Sequence, residues 1–456
     1  MSAPERFAAH VLGLRWEDAP ATARTAAKAF LLDTLAVGVA GRKAWLADAV
    51  LSVARGWGEA GGGPGAHVFG LGAEGRLPAP SAAYVNGFQI HCQEYDCVHE
   101  PAVVHPLATI AAALSAEAEA RPVPGADYLA ALIGAVDVAA GLGVAVTSPI
   151  RFFRPANAGV FGATLGVARM RGLSQGQALD ALGYALAQAA GTMQAHVEGK
   201  PALPVQIAGA ARAAIVACDL AEAGLPGPHD VFEGPFGYLS LFEEAFDLEP
   251  VIDSLGAVFR IAEVSYKPWP TGRAAQGGLG LVERLVQDGL SADEVAHVRL
   301  IAPPLIKRLV GRPAGAGMQI NYARLCFPYL AATALKRGTV GLSDFTAQAL
   351  SDADTLALAA KIEVIDDGSA DPAAFCPETI EARLTDGSTR TAPLEALYGS
   401  PDDPMTEDDV AAKRAACLAF GLGEAAPERD AALSEAVQEL ETLDDAGAPA
   451  RLAAGV

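Results

Sequence analysis

Residues 91–105 read HCQEYDCVHEPAVVH and gather three histidines, two cysteines, two glutamates and an aspartate. The whole chain has only eight histidines and six cysteines. Three readings compete for such a stretch: a metal site, a proton-transfer cluster, or the polar end of a buried helix. Cys92 and Cys97 have the spacing of a first zinc pair, and His99 and His105 resemble a second. The two pairs nearly touch, with no finger-length spacer between them, and residues five apart on a helix diverge. A metal is therefore not expected. Carboxylates beside histidines at the end of an apolar helix can push each other's pKa values apart, which suits acid and base work. His105 is the preferred acid/base. Glu94 and Asp96 orient or tune the imidazoles, and on a continuing helix Glu94 would share a face with His91, and Asp96 with Glu100. His99 is a further candidate.

An anion clamp has to come from elsewhere. Arg154 in FFRPANAG, Lys200 in HVEGKPALP, and Lys267 and Arg273 in SYKPWPTGR all stand at loop or helix boundaries in aromatic, Pro-rich or Gly-rich settings. Arg273 falls where a helix starts, a place that favours anions. Lys307, Arg308 and Arg312 form a weaker set. Two short motifs fit only literally. GLGAEG at 70–75 is followed by RLPAP, whose prolines forbid the helix a dinucleotide fingerprint needs. GLSQG at 172–176 follows a helix rather than a strand, so Ser174 reads as an N-cap and not as a nucleophile.

The elements that must position these groups are mostly helices. Of 456 residues, 51% are hydrophobic and 19% charged, enough for a large core and for two domains. The net charge of −21 leaves no basic footprint for nucleic acid and no polybasic membrane patch. A secretory signal and a membrane span are not expected, and six dispersed cysteines suggest a reducing cytoplasm. ATARTAAKAFLLDTLAVGVAG, with a glycine stop at Gly41, opens a series of apolar helices. Strands are expected at 298–302, in AAKIEVIDD, and in TIEARLTDGSTRTAPL, a hairpin about Asp386-Gly387. The plan is mainly α: an all-helical domain over 1–266 and 404–456, with a smaller α+β domain over 267–403 inserted before a helical return. The last residues, DDAGAPARLAAGV, look frayed.

In this order, LLDTLAVGVAG, LPAPSAAYVNG, HCQEYDCVHEPAVVHP, AGVFGATLGVARMRGL, KPWPTGR and RLCFPYLAATAL resemble blocks of the MmgE/PrpD family, over almost the whole chain. The family includes 2-methylcitrate dehydratase, cis-aconitate decarboxylase and iminodisuccinate epimerase. The resemblance implies a helical domain with an α+β lid, a homodimer, and metal-independent, cofactor-free chemistry on a small di- or tricarboxylic acid. His91, Asp96, His99 and His105 match the family block H-x-x-D-F-D-D-T-H…H-P. Glu94 replaces its first aspartate, and Cys97-Val98 its Asp-Thr pair. Arg154 stands at or beside a family histidine. Lys200 matches the lysine of K-x-x-H-x-G, with Leu203 at the histidine. Lys267 and Arg273 match K-P-Y-P and the arginine six residues on. The implied roles are His105, Lys200, Glu94, Asp96 and His99 in proton transfer, and Lys267, Arg273, Arg154 and His91 in substrate binding. The implied activity is a lyase, foremost a hydro-lyase. An epimerase of an amino- or imino-dicarboxylate, a decarboxylase of a cis-aconitate-like acid, and a non-catalytic metabolite binder are the alternatives.

Overall fold

Glycine and alanine let the long apolar helices approach until their backbones touch. A Cβ on Gly162 would lie 2.3 Å from the Ala135 carbonyl oxygen, and one on Gly41 only 1.9 Å from that of Gln89. Helices Ala21–Gly41, Ala79–His91, Pro106–Ala120, Gly125–Val144, Gly159–Met170 and Ala202–Glu222 pack in this way. The computed structural model describes all residues except 62 and 372. It is mainly helical, with one four-stranded mixed sheet and one two-stranded sheet among the described residues. Two helices, Gly125–Val144 and Ala202–Glu222, are long and apolar enough to cross a membrane; the first is 89% buried by its neighbours over its apolar window. Its hydrophobicity answers to packing inside the bundle.

The buried apolar residues form two large clusters. The first joins the N-terminal helices to Cys417, Leu418, Leu433 and Ala450 near the C-terminus. Helix Glu407–Leu422 lies along Ala21–Gly41, so the end of the chain returns to the helices that begin it. The second cluster surrounds the sheet. The small sheet pairs β1 (Gly65–His67) with β2 (Arg76–Pro78). In the larger one, β3 (Val295–Ala302) runs parallel to β4 (Ile362–Asp366) and antiparallel to β5 (Glu378–Leu384), which forms a hairpin with β6 (Thr389–Leu394). Val298, Leu300, Val364, Ile380 and Ala382 alternate onto the buried face, as the two-residue period of a half-covered sheet requires. Helices Gln276–Gln287 and Phe327–Arg337 cover that face.

Several sequence readings need adjustment. The stretch NYARLCFPYLAATALKRG forms two helices, Ile320–Ala323 and Phe327–Arg337, because Pro328 has no N–H to continue the ladder. The C-terminus is not frayed. Helix Ala448–Ala454 docks on the 70–72 loop, where the N–H groups of Gly70 and Gly72 donate to the carbonyls of Ala453 and Ala454. The glycines of GLGAEG thus serve this docking, with φ of 69° and 70°. Ser174 is an N-cap accepting from Gln177 N–H.

Candidate active site

Helix Ala79–His91 ends at His91, and residues 92–105 continue as a loop buried over 92–99 and partly exposed after that. The helical face expected to align Asp96 with Glu100 therefore does not exist. A buried loop must find partners for its carbonyls, and here they come from positively charged and imidazole side chains. Arg324 donates to Gln93 O at 2.9 Å, Lys267 to Glu94 O at 3.2 Å, and Lys413 to Tyr95 O at 3.0 Å. His105 Nδ1 lies 3.0 Å from Cys97 O. Val98 bridges to Ser265 in both directions. Two loop residues take positive φ: Glu94 and the β-branched Val103, each at 52°, a conformation that persists only when surroundings enforce it.

This loop forms one wall of a cavity of about 70 Å³ between the two apolar clusters. His91, Glu94, His105, His196 and Arg273 are its titratable lining groups, and Phe153, Met193, Leu203, Leu309, Leu325 and Phe375 supply much of the rest. A larger groove of about 620 Å³ lies between Ala21–Gly41 and the C-terminal helices. Its Lys28 and Arg414 are bound to Glu441 and Asp430. The smaller cavity instead gathers three histidines, a glutamate and an arginine.

Its electrostatics centre on Asp96. One carboxylate oxygen lies 2.9 Å from His91 Nδ1 and 3.3 Å from His105 Nδ1; the other has Lys267 Nζ 3.8 Å away. Burial pushes Asp96 upward, but both imidazoles and Lys267 outweigh it and hold it well below the usual carboxylate range. Glu94, 3.1 Å from Lys267, is likewise raised by burial but drawn down to about 2 by Lys267, His91 and His105. Burial would lower His91, yet Asp96 and Glu94 raise it. His105 is lowered, by burial and then by Lys267. A carbonyl only accepts, so Cys97 O fixes the His105 hydrogen on Nδ1 and leaves Nε2 a lone pair. His91, Asp96 and His105 have donor atoms within 4.8 Å of one another and could be taken for a metal set. Both Nδ1 atoms already face one Asp96 oxygen, however, and a lysine ammonium faces the other, an environment that disfavours a dication.

Several expected residues are placed elsewhere. Lys200 is exposed and does not line the cavity; Leu203, three residues on, does. Arg154 is buried but bound to Glu243 at 2.9 Å and to Ser148 O, and opens on a neighbouring cleft. His99 is fully buried, with Nε2 2.8 Å from Glu263 and Nδ1 accepting from Ala102 N–H, so it turns away from the cavity. Lys267 and Asp96 lie behind the lining groups, Lys267 as counter-ion to the carboxylates rather than as a substrate contact. Arg273 does line the cavity. Its Nε binds Glu100 and its Nη1 binds Gln276 and Tyr398 O, while Nη2 is buried without a partner. Sequence reasoning missed His196, although it stands four residues before Lys200 in a stretch already singled out. One of only eight histidines, just before the Gly- and Pro-containing stretch EGKPALP, was the available signal.

Residues 5–251 match the MmgE/PrpD N-terminal domain and residues 269–439 the MmgE/PrpD C-terminal domain. A cis-aconitate decarboxylase-like protein of Aspergillus oryzae is 27% identical over 438 residues, covering 88% of each chain. The cis-aconitate decarboxylases of Homo sapiens and Mus musculus are 28% and 27% identical, covering 81% and 83% of this chain and 78% and 79% of their own. With both domains matched in order around this cavity, the chain belongs to the MmgE/PrpD family.

Proposed function

We propose that the protein is a metal-independent lyase that moves a proton at a carbon beside a carboxylate of a small carboxylic acid. The observation that carries this reading is the fixed tautomer of His105: with Nδ1–H held by Cys97 O, the Nε2 lone pair is available to the cavity that also holds Arg273. Arg273 Nη2 receives the substrate carboxylate. His105 takes the proton, and Asp96 and His91 orient it and balance the charge it gains. The sequence suggested two or three substrate carboxylates. Lys200 and Arg154 being placed elsewhere and Lys267 committed to Glu94, the cavity favours one carboxylate on Arg273 and an apolar remainder against Leu203 and Phe375.

Loss of a β-hydroxyl as water is the leading outcome of this proton transfer. Decarboxylation is the second reading, favoured by the names of the three relatives. In either case residues 267–403 act as a lid, since the cavity wall draws on both apolar clusters, and the enzyme works in the cytoplasm. A homodimer completes the reading. Trp57, against Tyr84 at 4.9 Å and under Arg212 at 4.1 Å, is exposed, as are Trp45, Leu46 and Val53 in and beside helix Ala47–Arg55, and these apolar side chains suit a second copy.

The test incubates the enzyme in D₂O with small carboxylic acids and follows exchange, alkene and CO₂ by NMR. The reading expects exchange or elimination that His105→Gln abolishes. Near-normal rates in His105→Gln overturn it. Exchange with no product beyond the epimer makes the protein an isomerase, and ligand binding without any exchange makes it a binding protein.

A further inference from the structure

Proton abstraction beside a carboxylate pushes negative charge onto an oxygen, and that oxygen needs a donor. Arg273 is consumed by holding the carboxylate in the reading above. Glu94 and His105 are acceptors. The remaining titratable group at the cavity, outside the Asp96 cluster, is His196.

His196 is held from one side by Arg312. The guanidinium donates from Nη1 to the His196 carbonyl at 2.9 Å and from Nη2 to His196 Nδ1 at 3.1 Å. Arg312 is itself seated by Leu309 O and stacks 5.0 Å from the Tyr322 ring. Gly199, at φ 63°, closes the turn after His196 with no room for a Cβ, which would lie 2.5 Å from Tyr322 Cα. A guanidinium can only donate. Nδ1 of His196 is therefore a lone pair and the hydrogen sits on Nε2. His105 holds the opposite tautomer, its hydrogen on Nδ1 toward Cys97 O. Besides His91, the cavity is thus flanked by one imidazole that can accept and one that can donate, each fixed by a partner whose role admits no alternative. Burial and Arg312 also pull His196 down to about 3, so it stays uncharged while donating.

Resting on the lyase reading, we propose that His196 is a catalytic residue that donates its Nε2–H to the oxygen on which charge gathers when His105 takes the proton. His105 Nε2 accepts the proton, the C–H electron pair moves toward the substrate oxygen, and His196 keeps its own hydrogen throughout. His196 supplies a polar donor to a cavity whose lining is otherwise largely apolar.

The experiment uses full-length enzyme and two probes measured by calorimetry: butanoate, and the nitronate of 1-nitropropane, in which the nitro group takes the place of the carboxylate and carries the charge of the intermediate. Wild type should bind the nitronate more tightly. His196→Leu should lower nitronate affinity and α-proton exchange by about 10²–10³-fold, the loss typical of one such donor. Butanoate affinity should change less than about twofold, because the ground-state carboxylate rests on Arg273 and the charge His196 serves has not yet formed. His196→Gln should regain part of the loss, and the acidic limb of the rate profile, which belongs to His105, should not move. Imidazole ¹⁵N spectra should show Nε2–H at His196 in wild type and a tautomer mixture in Arg312→Met. The proposal is overturned if both probes weaken in parallel, if wild type does not prefer the nitronate, if the acidic limb shifts in His196→Leu, or if the spectra show Nδ1–H. Exchange that survives His105→Gln would instead defeat the lyase reading, whereas loss in His105→Gln with full exchange in His196→Leu defeats only this assignment.

Discussion

At the scale of single residues, the cavity depends on how buried charges are matched. Lys267 is fully buried and serves Glu94, its carbonyl and Asp96 together. Lys267→Met leaves two buried carboxylates without their counter-ion, and breaking such a pair costs about 3–5 kcal/mol; urea denaturation should read the loss as a lower midpoint. His105, lowered by burial and Lys267, stays unprotonated below the ordinary histidine value. The acidic limb of kcat/KM should therefore lie below about pH 6.5, and a limb above that value would contradict the assigned base. Glu378 behaves oppositely. Its two oxygens are buried without a partner, and burial pushes it up to about 8 despite Arg273. A carboxyl that binds its proton more tightly folded than unfolded loses stability as pH rises from about 4.3 toward 8. Glu378→Gln should flatten that alkaline decline in denaturation midpoints between pH 5 and pH 9.

At the scale of elements, the site is set by where helices stop and touch. Ala21–Gly41 meets Ala79–His91 at Gly41, where an added methyl would strike the Gln89 carbonyl two residues before His91. Gly41→Ala should cost about 1–3 kcal/mol through overpacking and should lower turnover beyond what lost folding explains, because it displaces the end of the helix that carries His91. Thermal unfolding and kcat measured on the folded fraction separate the two effects. Most helices and the Asp386-Gly387 hairpin were legible from apolar period and turn residues. The 91–105 loop was not. Its conformation is dictated by Arg324, Lys267 and Lys413, which lie 173 to 318 residues downstream of the residues they bind, and local spacing carries no trace of them. For the same reason His91, His105 and Arg273 could be nominated from residue type, but the exposure of Lys200 and the capture of Arg154 by Glu243 could not be foreseen.

At the scale of the whole molecule, acid should act on the site and on the fold together. Glu94 near 2 and Asp96 below its usual range bind protons less tightly folded than unfolded. Their stabilisation is complete above the unfolded values of about 4 and fades as pH falls through the folded ones. His196, near 3 in the fold, adds a loss that starts below about 6.5 because the unfolded chain gains that proton first. A midpoint that did not fall between pH 6 and pH 3 would contradict these directions. Sedimentation should return twice the 46.6 kDa chain mass for the wild type, and Trp57→Glu should return the monomer.

Synthesis order adds a constraint. The carbonyls of Gln93, Glu94 and Tyr95 wait for Arg324, Lys267 and Lys413. A ribosome making this chain must therefore deliver more than nine-tenths of it before the loop can close around its last cation. The helical bundle can begin to assemble early, but the catalytic wall belongs to the finished polypeptide, and a chain ending at residue 403 should carry every lining residue of the cavity and still have no working site.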